Sequence, residues 1–273
     1  MSNWAIKPLF QHIVYSNFLI GLSAFSLSAG TAYNYGIEKW WLYGITCFCA
    51  ILSVYNFQRL YKAKKNAHLT PWLIWVNEHQ SYLKSLIGIS GIIGLISFVL
   101  LIGKLEIIPL ILLAGFVSLI YVVPFRKKSL REIAYLKSPV IAFVWTSIII
   151  AFPWVNEYGI SSTIFPELLA YFYYFVALTI AFDIRDLKHD FPIQKTTPQV
   201  VGIKRSKVFS YVLISLFVMI IAIVNENMRY NLVFYGGSLS SILLILGINN
   251  QRKEGYYALI DASMMVIGIS YFV

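Results

Sequence analysis

The segment AFDIRDLKHDFP, residues 181–192, carries three aspartates directly after one of the most apolar stretches of the chain. Asp183, Asp186 and Asp190 are three of only four aspartates among the 273 residues. On a helix that continues from the apolar stretch, their i, i+3, i+7 spacing projects all three from one face. Pro192 disfavours helical backbone at the residue before it and so ends the helix. Carboxylates grouped at the edge of a low-dielectric slab repel one another, so the segment predicts a positive partner among them.

Two kinds of partner fit this predicted cluster. Arg185 and Lys188, within the segment itself, could neutralise it as a solvated salt-bridge surface. The alternative is a hard cation, because Mg²⁺ favours a few carboxylate oxygens and completes its coordination with water and substrate phosphate. A metal held at the cytoplasmic end of a helical bundle could bind a diphosphate and act as a Lewis acid on the leaving group.

The composition of the chain is that of an integral membrane protein. Hydrophobic residues form 59% of it and charged residues only 12%, with a mean hydropathy of +0.71. A soluble domain, by contrast, is about one quarter charged. Apolar windows long enough to cross a bilayer recur from end to end, so residues 1–273 are predicted to form a single all-α membrane domain.

Nine windows are predicted to be transmembrane helices, with approximate limits of 9–31, 40–57, 85–102, 107–124, 138–154, 164–183, 207–224, 230–248 and 256–273. A cytoplasmic N-terminus puts 19 of the 22 lysines and arginines inside and leaves only Lys39, Lys104 and Arg229 outside. The prediction is a multi-pass protein of the cell membrane, with its C-terminus on the opposite side. Topology explains the net charge of +10, so nucleic acid is not a predicted partner.

Two further patterns concern packing. Ser23, Ser26, Ser28 and Gly30 in the first window are small enough for close contact between helices. The stretch HLTPWLIWV, residues 68–76, predicts a short helix that lies on the lipid head groups.

The motif DIRDLKHD, followed by KTTPQVVG at 195–202, resembles the second aspartate-rich motif, DxxDxxxD, of the UbiA superfamily of intramembrane prenyltransferases. That family has nine helices with polar motifs after the second and the sixth, and the predicted windows follow this plan over essentially the full length. YVVPFRKK, residues 121–128, is similar to the family's tyrosine-to-basic segment at the end of the fourth helix. The resemblance implies an all-α bundle of about nine transmembrane helices of the UbiA type.

The resemblance also implies an activity, the transfer of an isoprenyl group from a polyprenyl diphosphate to an aromatic or lipid-like acceptor within the membrane. Asp183, Asp186 and Asp190 would be the catalytic residues and would hold Mg²⁺ as the cofactor. The donor's tail would lie among aromatic side chains of the bundle, beside membrane lipid. Metal and basic residues would stabilise the charge that develops on the departing diphosphate.

The family's first motif, NDxxDxxxD, is replaced here by SVYNFQRLYKAKKN, residues 53–66, which contains no carboxylate. Asn56 and Arg59 take the places of two of its aspartates. We expect the Asn56 amide oxygen to assist in metal binding. We expect Arg59 and Lys62, with Lys127 of the basic segment and beside Asn56, to hold the diphosphate, since guanidinium matches phosphate geometry. The alternative is that these cations only satisfy the positive-inside rule.

Two other functions stay open on the sequence alone. The changed first motif is compatible with a relative that binds an isoprenoid lipid without transferring it. A small-solute transporter is the third hypothesis, weakened by the scarcity of charge within the windows and by the absence of the broken helices expected at a mid-membrane site. Asp261, near the start of the last window, is expected to pair with Arg252 or Lys253.

Overall fold

The computed structural model describes residues 8–65, 71–124, 129–187, 194–249 and 254–273, and in these ranges the backbone is helical with no strand. The helices are α1 (Pro8–Tyr15), α2 (Phe18–Asn34), α3 (Trp40–Lys65), α4 (Pro71–Glu78), α5 (Gln80–Leu101), α6 (Ile107–Ile120), α7 (Lys137–Thr146), α8 (Phe152–Tyr158), α9 (Phe165–Asp186), α10 (Thr197–Val224), α11 (Glu226–Arg229), α12 (Leu232–Leu246) and α13 (Glu254–Ile269). A π-helical segment, Ser147–Ala151, joins α7 to α8, and short 3₁₀ turns lie at Leu130–Glu132, Ser162–Ile164 and Ser270–Phe272. The all-α prediction is confirmed.

The helices identify a multi-pass membrane protein. Within the described ranges, six helical segments are long and apolar enough to cross a bilayer: Trp40–Lys64, Gln80–Leu101, Lys137–Tyr158, Ser162–Asp186, Thr197–Val224 and Gly255–Phe272. The apolar helices α6 and α12 are shorter, with 14 and 15 residues. The first predicted window is divided between α1 and α2. Each predicted window thus coincides with helical backbone, whereas the number of nine spans is not confirmed.

The break between α1 and α2 is built by two asparagines. Asn17 adopts a left-handed conformation with φ of 61°, which asparagine tolerates better than most residues. Its Nδ2 donates to Asn56 Oδ1 of α3 at 2.8 Å, and Asn56 Nδ2 donates to the backbone oxygen of Ser16 at 2.8 Å. These hydrogen bonds fasten the bend to α3.

The last helix closes against the first part of the chain, because α13 packs along α2. A Cβ atom on Gly30 would overlap the carbonyl oxygen of Gly268, and one on Gly268 would overlap the backbone of Ser26. Only glycine allows this approach of the two backbones. Ser26 Oγ also donates to the carbonyl oxygen of Met265 at 2.9 Å. The predicted use of small residues of the first window in close packing is confirmed.

The π-helical segment between α7 and α8 is explained by a proline in the sequence. Pro153 has no N–H and cannot donate to the carbonyl of Ile149 four residues earlier. Thr31 Oγ1 of α2 donates to Ile149 O at 3.4 Å, and Cys47 Sγ of α3 donates to Ile148 O at 3.1 Å. Neighbouring helices therefore satisfy carbonyls that the irregular segment exposes, and this fixes α7 and α8 against α2 and α3.

The helix predicted within HLTPWLIWV is present as α4. Leu73, Trp75 and Val76 are buried within the protein. The Trp75 ring lies 5.7 Å from the ring of Tyr15 on α1, in an edge-to-face contact. These side chains pack against α1 and α3, whereas Ile74 of the same helix is exposed.

Candidate active site

A cavity of about 1420 Å³ lies between α3, α5, α6, α7, α9 and α13. Its charged end forms where α3 and α9 end and α7 begins, since successive helices run in opposite directions. The charged residues of the described ranges that line it are Arg59, Lys62, Arg131, Glu132, Lys137, Asp183, Arg185, Asp186 and Asp261. Apolar wall residues include Leu95, Phe98, Ile111, Trp145, Phe152 and Phe175. The cavity therefore offers charge to one part of a ligand and an apolar surface to the rest.

Asp183 is enclosed at the charged end, with only 1% of its surface exposed. Lys137 Nζ lies 2.8 Å from its Oδ1, and Ser138 Oγ donates to its Oδ2 at 2.8 Å. Both partners belong to the first turn of α7, so the start of α7 is joined to the end of α9. The buried carboxylate is both charge-compensated and hydrogen-bonded, which burial of an ion requires.

Asp186 lies about one turn further along α9 and keeps 22% of its side chain exposed. Arg185 Nε lies 2.8 Å from its Oδ1, and Lys137 Nζ lies 3.7 Å from its Oδ2. Lys137 thus stands between Asp183 and Asp186, and the two carboxylates share one face of α9 as their spacing predicts. Asp190, the third predicted ligand, lies outside the described residues.

The positive partner predicted for the aspartates is chiefly Lys137, which local sequence does not reveal. Arg185 does pair with Asp186, while Lys188 lies outside the described residues. From the sequence, Lys137 counts only as one of the inner-loop cations. The signal that could have identified it is its place in the first turn of α7, because alternation of helix directions brings that turn to the end of α9.

Arg59 and Lys62 reach the same cavity from α3. Arg59 Nη1 donates to the backbone oxygen of Tyr15 at 2.5 Å, and its guanidinium lies 5.5 Å from the centre of the Trp72 ring. The Lys62 ammonium is close enough to Asp186 for their charges to interact. Two of the predicted diphosphate-binding cations are therefore brought together with the aspartates. The third, Lys127, lies outside the described residues.

Neither a protein-family model nor a curated protein matches the chain. Solved structures do match. The chain is similar to a UbiA homologue from Archaeoglobus fulgidus bound to GPP and Mg²⁺, with a TM-score of 0.60 and 14% identity over 96% of this chain and 99% of that one. It is also similar to a UbiA homologue from the same organism bound to DMAPP and Mg²⁺, with a TM-score of 0.54 and 14% identity over 94% and 98%. The chain has a UbiA-like fold.

Within this UbiA-like fold, Asn56 holds α3 against the bend between α1 and α2. The residue is fully buried. Its Oδ1 accepts the hydrogen bond from Asn17, and its Nδ2 donates to the backbone oxygens of Ser16 and Leu52 at 2.8 and 2.9 Å. Asn56 is also not among the residues that line the cavity. The metal-ligand role predicted for it has no support in this arrangement, because its amide oxygen is enclosed and already engaged.

Arg131 is a cavity residue that the sequence treats only as a topological cation. The turn Leu130–Glu132 carries it, and this turn is closed by a capping box in which the backbone N–H of Ser129 donates to Glu132 Oε2 at 3.1 Å. The backbone N–H of Arg131 donates to Tyr121 O at 3.2 Å. The UbiA-like fold thereby holds a fixed cation between the end of α6 and the start of α7.

Asp261 lies in the cavity wall formed by α13. Its predicted partners, Arg252 and Lys253, lie outside the described residues. Among the described residues, the cations that act on its carboxylate are Arg185 of α9 and Arg59 of α3. The fourth aspartate of the chain therefore belongs to the same cavity as Asp183 and Asp186.

Proposed function

We propose that this protein is an intramembrane prenyltransferase that transfers an isoprenyl group from a polyprenyl diphosphate to an aromatic or lipid-like acceptor. The observation that carries the proposal is the single cavity in which paired aspartates and several cations stand at one end of an apolar interior. A prenyl diphosphate has the same division into a charged head and an apolar tail. Structures with this fold hold GPP or DMAPP together with Mg²⁺, which supports the choice of donor.

The side chains at the charged end fit one Mg²⁺. Asp183 and Asp186 offer carboxylate oxygens from one helix face, and Mg²⁺ commonly binds through one or two carboxylates, substrate phosphates and water. Among the described residues there is no group of three or more His, Cys, Asp or Glu arranged around a metal position, and Asp190 is the further ligand in this proposal. When bound, Mg²⁺ would supply positive charge and Lewis acidity at the leaving diphosphate.

A second metal does not fit, and cations replace it in this proposal. No carboxylate occurs in residues 53–66, and the amide of Asn56 is engaged by Asn17. Arg59 and Lys62 would bind the diphosphate oxygens directly, with Lys127 completing the set. Fixed cations held in an enclosed site stabilise developing negative charge without reorganising during the reaction.

Lys137 would have one role before the donor binds and another after it. Its ammonium lies 2.8 Å from Asp183 and 3.7 Å from Asp186, so it neutralises the two carboxylates. Its lysine stem can redirect the ammonium to a diphosphate oxygen while Mg²⁺ takes over the carboxylates. The protein would therefore bind metal and donor together more readily than either alone.

The donor's tail would extend from the charged end along the apolar wall of the cavity, beside membrane lipid. We place the charged end at the cytoplasmic face of the cell membrane, with the N-terminus inside and the C-terminus outside. This orientation is supported by the 19 basic residues on the proposed inner side. The whole chain, residues 1–273, would work as one unit.

The test is donor binding and transfer by the full-length protein in lipid nanodiscs, with geranyl diphosphate (GPP), Mg²⁺ and a panel of phenols and long-chain alcohols. We expect GPP to bind only when Mg²⁺ is present. Asp186→Asn should reduce transfer at least tenfold, because a charged ligand of the metal is lost. Glu157→Gln is the matched control, since Glu157 is an acid of α8 outside the cavity. Indifference of binding to both Mg²⁺ and Asp186→Asn would overturn the proposal.

The second candidate function is a non-catalytic isoprenoid-binding protein. The observation in its favour is the loss of carboxylates at Asn56 and Arg59, together with the structural use of the Asn56 amide. This protein would bind GPP or its lipid analogues as tightly as an enzyme would, but without release of pyrophosphate. The same experiment separates the two functions, because turnover is measured beside binding.

A further inference from the structure

Asp261 is an acid that neither the proposed metal site nor the proposed diphosphate site uses. It lines the cavity from α13, and its Oδ1 is buried without a hydrogen-bond partner among the described residues. Ser23 Oγ of α2 donates to its backbone oxygen at 2.7 Å, which fixes this turn of α13. A buried carboxylate oxygen without a donor is unfavourable, so this oxygen is suited to a donor that the described residues do not supply.

The groups around Asp261 leave it free to accept a hydrogen bond from a ligand. Arg185 faces it from α9, with its guanidinium 5.4 Å from the Tyr257 ring centre, and Arg59 faces it from α3. The charge of Asp261 also acts on the phenols of Tyr55 and Tyr174. Both phenolic oxygens have hydrogen-bond partners other than Asp261. The Tyr55 oxygen accepts from Trp145 Nε1 at 2.8 Å, and the Tyr174 hydroxyl pairs with that of Ser241 at 3.2 Å.

Asp261 lies at the boundary between the charged end and the apolar interior. Its charge acts on Arg59 at the charged end of α3 and also on Tyr55, which is about 6 Å deeper along the same helix. A prenyl diphosphate with its head among the cations and its tail in the interior would place its first carbon at this level.

We propose that Asp261 is the acceptor-binding residue and takes the acceptor's proton. The acceptor class is a protic nucleophile, a phenol or an alcohol, and the inference rests on the proposed prenyl transfer. In the step, the X–H bond of the acceptor breaks and its proton passes to Asp261 Oδ1. The electron pair on X forms the bond to the allylic carbon, while the C–O bond breaks and its pair leaves with the diphosphate.

Binding of the donor does not explain why position 261 carries a carboxylate. The diphosphate is an anion, and a further negative charge beside Arg59 and Arg185 weakens the attraction of these cations for it. Removal of the charge therefore has opposite effects on the two substrates. Binding of GPP is expected to stay the same or to tighten, whereas transfer to a protic acceptor is expected to fall.

The experiment compares the full-length protein with Asp261→Asn and Asp261→Glu in nanodiscs that contain Mg²⁺. Equilibrium binding of GPP and transfer to 4-propylphenol and to 1-decanol are measured for each. We expect Asp261→Asn to keep the Kd for GPP within about twofold or to lower it, and to reduce kcat for transfer at least tenfold. Asp261→Glu should recover part of the loss. Leu259→Ala, an exposed residue of the same helix outside the cavity, should behave as wild type.

Three results would overturn this role. Asp261→Asn transfers at the wild-type rate, or loses GPP binding and transfer together with a lowered melting temperature, or the wild type binds GPP but prenylates neither acceptor. Failure of the proposed function looks different, because the wild type would then bind no GPP with Mg²⁺ at all. That result would remove the acceptor role with it.

Discussion

Two regions meet at the charged end of the cavity, and they use charge in opposite ways. Where α9 meets α7, Asp183 and Asp186 share Lys137, so carboxylates and a cation neutralise one another. Where α3 meets the bend before α2, the neutral amide of Asn56 is hydrogen-bonded to Asn17, and the Arg59 side chain lines the cavity. Under the proposed function, the α7–α9 region would bind the anionic donor through a metal, and the α3 region would bind it through its cations directly.

The largest effect is expected at the α7–α9 region, from Asp183→Asn. Lys137 would lose its closer partner and keep only Asp186, 3.7 Å away. Removal of one member of a buried ion pair lowers the free energy of unfolding by about 3–5 kcal/mol. Thermal unfolding of the purified protein in micelles measures the loss. The double variant Asp183→Asn with Lys137→Met should recover most of the stability but no transfer. A loss below about 1 kcal/mol in the single variant would contradict the buried ion pair.

The next largest effect is expected from Asn56→Asp, which tests whether the α3 region tolerates a carboxylate. Asn56→Asp would set a carboxylate against the backbone oxygens of Ser16 and Leu52, which now accept from the amide. We expect a loss of about 3 kcal/mol in stability, because buried acceptors would face one another without donors. Asn77→Asp, a half-buried amide of α4, should be nearly neutral. A stable Asn56→Asp protein that binds more Mg²⁺ would show that the two regions are equivalent.

A smaller effect is expected for Arg59→Ala, on ligand binding more than on stability. A charge-assisted hydrogen bond contributes about 1.5–3 kcal/mol, so the Kd for GPP should rise about 10- to 100-fold. Lys64→Ala, an exposed cation of the same helix, is the control. An unchanged Kd in Arg59→Ala would leave Arg59 as a topological cation only. Titration of GPP in the presence of Mg²⁺ supplies the measurement.

The smallest effect is expected for Trp72→Leu, which removes the ring beneath the Arg59 guanidinium. Cation–π contacts contribute about 0.5–1 kcal/mol at partly exposed sites. The Kd for GPP should therefore rise about two- to fivefold, as the guanidinium loses part of its orientation. Trp41→Leu, an exposed tryptophan of α3 far from Arg59 along that helix, serves as the control. Equal effects of the two substitutions would contradict a positioning role for Trp72.

The sequence-based predictions succeeded where the interactions are local in sequence and failed where the partners are remote. Asp183 and Asp186 share a face because three residues are nearly one helical turn, and no distant contact is needed to know it. Close packing at Gly30 was likewise accessible from a local run of small residues. Asn56 was misjudged because its partner, Asn17, is 39 residues away. The contact of Trp75 with Tyr15 of α1 was not accessible for the same reason, since the two residues are far apart in the sequence.

The sequence by itself determined that the chain is a helical membrane protein and that α9 ends in an acidic face, because composition and helical periodicity act locally. The tertiary structure alone decided that Lys137 stands between the aspartates, that Asn56 is enclosed, and that Asp261 faces the same cavity. These three facts depend on helix pairs that are remote in sequence. Packing of side chains in three dimensions determines which helices pair, and a local sequence pattern does not predict these pairs.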